Sequence, residues 1–165
     1  MEIRILKIEE LDLIRKLAYQ IWPIAYKEIL SKEQLDYMLE WMYSLNALEE
    51  NVRNGHYFFA ISNDQKDIGF LDVEPNNPIR GNMKIQKIYV LPEFHGQGYG
   101  FELLKKAKEF AQSMKMNTLT LQVNRHNKAV DFYKRNGFEI IDEQDFDIGN
   151  GYYMNDFIMQ FNLSE

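Results

Sequence analysis

Cysteine is missing from all 165 residues. Disulfide staples, thiolate nucleophiles and cysteine-bound metals are excluded, and a cytoplasmic setting is expected. Histidine occurs only at His56, His95 and His126, without metal-ligand spacing, so no metal is expected. No apolar run approaches the roughly 18 residues of a membrane helix, and Met1-Glu2-Ile3-Arg4-Ile5 lacks the profile of a secretion signal. No membrane partner is expected. Basic charge is in deficit: 19 Lys and Arg against 25 Asp and Glu give a net charge of −6. A nucleic-acid partner held by its phosphates is disfavoured, while an acidic surface weakly favours cationic substrates such as amines. Neither a G-x-S-x-G elbow nor a Walker loop occurs.

What is present reads as one domain over 1–165, without repeat, linker or low-complexity segment. Ile3 and Ile5 alternate with polar residues in a short strand. Leu11, Ile14, Leu17, Ala18 and Ile21 follow at helical spacing, and Pro23 is expected to end or kink that helix. Ser31 and Gln34 form a capping-box pattern ahead of Leu35, Met38, Leu39 and Met42. A polar helix spans Leu45 to Arg53. Trp22, Tyr26, Tyr37, Trp41 and Tyr43 crowd this region, mostly as packing, with one or two left to line a pocket. His56 to Ser62 and Asp67 to Glu74 read as a hairpin. Thr118 to Asn124 is a strand, Asn127 caps a short helix that ends at Gly137, and Phe138 to Ile141 starts another strand. Asp147 to Gly151 is a turn before a last strand from Tyr152 to Leu163. The order suggests an α/β (α+β) mixed sheet with helices on both faces.

The stretch from Lys84 to Met114 organises the rest. Lys84 to Val90 reads as a strand, stopped by Pro92. Leu103, Leu104, Ala107, Phe110, Ala111 and Met114 share one helix face. Between them stands His95-Gly96-Gln97-Gly98-Tyr99-Gly100. Glycine permits positive φ and close approach, and the start of a helix presents free N–H groups and the positive end of its dipole. The loop reads as a pyrophosphate cradle; the plainer alternative is a glycine-rich turn. It is not the G-x-G-x-x-G dinucleotide fingerprint, because its spacing is G-x-G-x-G and a proline intervenes.

Val90-x-Pro92-x-x-His95-Gly96-Gln97-Gly98-Tyr99-Gly100 resembles the acyl-CoA loop of the GCN5-related N-acetyltransferases (the GNAT family). The family pattern is [Gln/Arg]-x-x-Gly-x-[Gly/Ala]; Gly98 and Gly100 match it, and His95 replaces Gln or Arg. Val123-Asn124-Arg125-His126-Asn127-Lys128-Ala129, then Phe132-Tyr133-Lys134 and Gly137-Phe138, is similar to the family's second signature, with only Lys128 between Asn127 and Ala129. The resemblance implies a GNAT-like fold with a six- to seven-stranded, mostly antiparallel sheet. It implies acetyl-CoA as co-substrate and a primary amine as acceptor. It places cofactor contacts at Ile88 and Val90 on the strand, at His95, Gly96, Gln97, Gly98, Gly100 and Phe101 in the loop and helix start, and at Asn124 and Asn127. Tyr133 becomes the acid that protonates the leaving thiolate; otherwise it is a core aromatic.

The base is not assigned. Neutralising a lysine-like ammonium at pH 7 costs about 4.6 kcal/mol, and many relatives place a Glu on the organising strand to take that proton. This chain has Gln86, which cannot. Glu28, Asp72 and Glu74 are the other carboxylates, each more simply an ordinary surface charge, and a water chain serves equally. Lys105, Lys106, Lys108 and Glu109 read as a wet helix face, and Lys134 and Arg135 as solvated charges that lie within reach of the cofactor's 3′-phosphate. The aromatic-rich second helix and the Phe132-Tyr133-Lys134 run favour the polyamine-acetylating branch. The alternatives are acetylation of a protein N-terminus and a non-catalytic acyl-CoA-binding module. Exposed aromatics and a final strand at the sheet edge would suit a homodimer, and the sequence leaves the oligomeric state open.

Overall fold

The computed structural model describes residues 1–163. Ser164 and Glu165, the last two residues of the expected 1–165 domain, lie outside the described residues. The elements run β1 (Glu2–Ile5), α1 (Asp12–Ala25), α2 (Lys32–Tyr43), α3 (Leu45–Arg53), β2 (Tyr57–Asn63), β3 (Lys66–Pro75), β4 (Asn82–Val90), α4 (Tyr99–Ser113), β5 (Thr118–Asn124), α5 (Ala129–Arg135), β6 (Glu139–Gly149) and β7 (Tyr152–Asn162). This order is the expected one.

All seven strands form a single sheet in the order β1-β2-β3-β4-β5-β7-β6. Among the described residues only β4 and β5 run parallel, because α4 carries the chain back between them. Residues directly opposed across a pair share a face. Phe58 opposes Asp72, Phe70 opposes Tyr89, and Asp72 opposes Lys87, so these side chains share one face. The first helices cover it: Trp22 of α1 packs on Tyr89, and Tyr43 of α2 on Phe70. The neighbouring residues Tyr57 and Phe59 point the other way and meet Phe110 of α4. Helices therefore cover both faces, as expected.

Local chemistry sets most boundaries. Ser31 Oγ accepts from the Gln34 amide at 3.1 Å and starts α2; Ser44 Oγ accepts from the Ala47 amide at 3.2 Å and starts α3. The Gln34 side chain does not complete the capping box. It donates instead to the Tyr153 carbonyl at 2.8 Å, tying α2 to β7. Four expectations are corrected. α1 runs through Pro23 to Ala25, because only one helical N–H is lost near the end and Trp22 and Tyr26 on either side are buried. α4 starts at Tyr99, two residues early, since Gly98 at φ 90° turns the chain directly into the helix. β6 extends to Gly149, pairing along β7, so the turn shrinks to Asn150-Gly151. The last strand is interior: β7 lies between β5 and β6, and β6 forms the edge.

Candidate active site

β4 and β5 pair only from Asn82–Thr118 to Ile85–Leu121. The closed end is pinned by Asn82, whose Nδ2 donates to Thr120 Oγ1 at 2.8 Å and whose Oδ1 accepts from Thr118 Oγ1 at 2.7 Å. Beyond Ile85, β4 continues to Val90 and β5 to Asn124 without pairing to each other. A bulge marks the split: Asp72 opposes Lys87 while Val73 opposes Ile85, so Gln86 is the extra residue on β4. Past the bulge, one edge of β4 has no strand partner among the described residues.

A cavity of about 740 Å³ fills that gap. Gln86 to Val90 form one wall, and Leu121, Gln122, Asn127, Phe132 and Tyr133 face them. Its far end is the loop before α4. Gly96 (φ 76°) and Gly98 (φ 90°) need the left-handed region, and nothing lies within 4 Å of where their side chains would stand. Gly100 needs no such conformation; a Cβ there would meet Phe132 at an ordinary 3.7 Å. The first-turn amides of α4 have no intrahelical acceptor, and the dipole adds a partial positive charge. Lys128 and Arg135 lie on the rim, whereas Lys134 does not line the cavity.

Nine of the expected site residues meet here: Ile88, Val90, His95, Gly96, Gly98, Gly100, Phe101, Asn127 and Tyr133. His95 has a structural task as well, its Nε2 lying 2.9 Å from the Val90 carbonyl and tying loop to strand. Asn127 Oδ1 accepts from the Ala129 amide at 2.9 Å, capping α5. Two expected residues lie apart. Gln97 turns away, donating to the Glu93 carbonyl at 3.3 Å, and Asn124 lines a different cavity. The Tyr133 ring is buried in the core, and its hydroxyl has no hydrogen-bond partner within the chain among the described residues. Burial, and secondarily the nearby Tyr26, pushes its pKa well above the usual tyrosine value.

The second cavity, of about 360 Å³, lies under α2 and shares Tyr26, Ile85, Gln86, Tyr89 and Gln122 with the lining of the first. Trp22, Met38, Trp41 and Phe146 wall it, and Lys84, Gln122, Asn124 and Asp156 form its floor. Of the five clustered aromatics, Trp22 and Tyr43 are core. Tyr26 lines both cavities and shares a 2.8 Å hydrogen bond with Tyr89 across their junction. Trp41 stands half exposed at the rim of the second.

Sequence reasoning misplaced two carboxylates. Asp72 is fully buried, not a surface charge: it accepts from Lys87 Nζ at 2.8 Å and meets His56 Nδ1 at 2.8 Å. Glu74 is half-buried, 3.0 Å from His56 Nε2 and 2.9 Å from Gln86 Nε2. This network grips both residues at the bulge and fixes the strand that walls the cavity. Glu28 is exposed at the rim of the first cavity. On α4, Lys108 is also not simply wet: its Nζ donates to the Asn136 carbonyl at 2.9 Å and sits 4.0 Å from the Phe161 ring centre. The missed signal was a charge inside an apolar run, as in Phe70-Leu71-Asp72-Val73.

Comparison with known proteins agrees with this geometry. A model described as the acetyltransferase (GNAT) family matches residues 14–138. Over 147 residues, 86% of this chain and 89% of the relative, the sequence is 29% identical to the spermidine N(1)-acetyltransferase of Thermoplasma acidophilum. The crystal structure of the PaiA N-acetyltransferase from Thermoplasma acidophilum in complex with coenzyme A is similar, with a TM-score of 0.81 at 26% identity, covering 98% of this chain and 99% of that one. The ribosomal-protein-S18-alanine N-acetyltransferase from Escherichia coli shares the fold, with a TM-score of 0.75 at 17% identity over 99% of this chain and 94% of that one.

Proposed function

The chain belongs to the GNAT family of acetyltransferases, and on that premise we propose that it moves an acetyl group from acetyl-CoA to a small polyamine-like primary amine, with residues 1–165 acting as one domain. The observation that carries this reading is the open edge of β4 beyond Ile85, facing Tyr133 across the cavity and running on to the glycine loop. A pantetheine arm is extended and carries amides, so it suits an unpaired strand edge as another strand would. Gly96 and Gly98 leave room for the pyrophosphate, and the start of α4 supplies N–H donors and a favourable dipole. Lys128 and Arg135 lie at the rim for further phosphate charge.

Acetyl-CoA brings the activated thioester. The chain's task is to align the amine with it, to polarise the carbonyl through backbone N–H groups near Ile88 and Val90, and to protonate the departing sulfur. Tyr133 suits the last step, because its hydroxyl has no hydrogen-bond partner among the described residues. Burial makes it a weaker acid, and the same desolvation would make a thiolate beside it a stronger base. The apolar and aromatic walls of the second cavity suit the methylenes of a polyamine, and a relative named for spermidine acetylation supports that class.

The test is thiol release from acetyl-CoA with spermidine, spermine, short diamines, amino acids and N-terminal peptides. Release with polyamines or diamines above the acceptor-free rate is expected. Preference for peptides would move the reading to protein N-terminal acetylation. No release with any acceptor, from protein that binds acetyl-CoA, would overturn the transferase reading in favour of a binding module.

A further inference from the structure

Asp156 is the conspicuous group that nothing above uses. It sits on β7 opposite Asn124, is 3% exposed, and lies in the floor of the second cavity. Among the described residues no side chain or amide donates a hydrogen bond to its carboxylate, and no cation lies within 4 Å. Buried carboxylates ordinarily have such partners. The charged groups around it are otherwise placed. Arg125, at the end of β5, is engaged by Glu143 at 3.1 Å and Asp145 at 2.6 Å. Lys84 on β4 shares the floor, more than 4 Å from the carboxylate, and its own burial lowers its pKa from the usual lysine value. Tyr26 and Tyr89 close the side toward the first cavity, bonded to each other, and Asp147 of β6 lines the opposite side. The unpartnered carboxylate thus lines a cavity with aromatic walls that shares Gln86 and Gln122 with the cavity of the proposed thioester site.

We propose that Asp156 receives the acceptor's ammonium group and removes its proton. The assignment rests on the transferase reading above and supplies the base that Gln86 cannot. The ammonium proton passes to the carboxylate, and the neutral nitrogen forms a C–N bond at the thioester carbonyl. The C–S bond breaks, and the second nitrogen proton ends on sulfur by way of Tyr133. Asp156 then returns its proton to water, so one amide, one thiol and one proton leave. Burial raises the Asp156 pKa to about 6, with Arg125 and Lys84 pulling the other way. The group is still mostly ionised at pH 7, and it is a better proton acceptor than an ordinary aspartate.

The experiment compares Asp156→Asn with wild type in three measurements: acetyl-CoA affinity, spermidine affinity by calorimetry, and the pH profile of kcat/KM. Unchanged acetyl-CoA affinity shows an intact fold and groove. Spermidine binding is expected to weaken about tenfold or more, and kcat/KM at pH 7 to fall about 100-fold. In wild type, activity is lost as pH falls through about 6, where the carboxylate protonates; in the variant this limb disappears and the rate follows the free amine. Asp156→Glu, which keeps a carboxylate, should retain the limb. A variant that keeps the wild-type kcat and pH profile, even with weaker spermidine binding, overturns proton removal by Asp156 alone. Wild-type protein that releases no thiol with any amine overturns the transferase reading, and this assignment with it.

Discussion

At the scale of single residues, the proposed chemistry would depend on polar atoms that have no hydrogen-bond partner among the described residues. The Tyr133 hydroxyl is one, facing the first cavity from within the core. Tyr133→Phe removes the proton donor and little volume. We expect kcat to fall roughly 100-fold or more while acetyl-CoA affinity stays within about twofold, read by steady-state kinetics and calorimetry. An unchanged kcat would return Tyr133 to the core. That Tyr133 and Asn127 would stand close together was legible in the sequence because they belong to one spaced signature, Asn127 just before α5 and Tyr133 within it. Asp156 was not, since its meaning depends on Lys84, Tyr26 and Trp41, which line the same cavity from elements far away in the chain. The same holds for Asp72, whose partners His56 and Lys87 lie on neighbouring elements.

At the scale of elements, β4 does the most work, and its shape is imposed from beside it. Lys87, adjacent to the bulge, is held by Asp72 and Asn51 and lies 5.6 Å from the Tyr43 ring centre. Removing one partner of a buried ion pair leaves the other charge uncompensated, at a cost of roughly 3–5 kcal/mol. Lys87→Met is therefore expected to lower unfolding stability by about 3 kcal/mol in urea titrations and to weaken acetyl-CoA binding, because the cavity wall loosens. A loss below about 1 kcal/mol would show that the pair does not hold the strand. Element types were readable almost throughout, because apolar periodicity and capping residues act locally. The end of β6 failed because a distant partner decided it, β7 offering a ladder as far as Gly149. Gln34 likewise left its box for the Tyr153 carbonyl, although α2 starts at the Ser31 cap as expected, while α4 starts early for a local reason, the turn at Gly98.

At the scale of the whole molecule, strand order was the part of the fold that local pattern did not carry. The C-terminal strand tucks inside β6, an exposed edge strand that carries Glu139 and Asp142 on one face and Glu143, Asp145 and Asp147 on the other. A charged edge discourages strand-to-strand association, so this edge is a poor dimer contact. The divergence of β4 from β5 has a thermodynamic counterpart. Four strands on one side and three on the other are stitched together only over Asn82 to Ile85, so the sheet has a built-in seam that a ligand would close. Acetyl-CoA at 100 times its dissociation constant should then raise stability by about 2.7 kcal/mol. Amide hydrogen exchange should slow most at residues 86–90, and uniform protection across the molecule would argue against the seam. Coenzyme A left after transfer would keep the seam shut, so the enzyme would have to unzip its own middle before each new turnover.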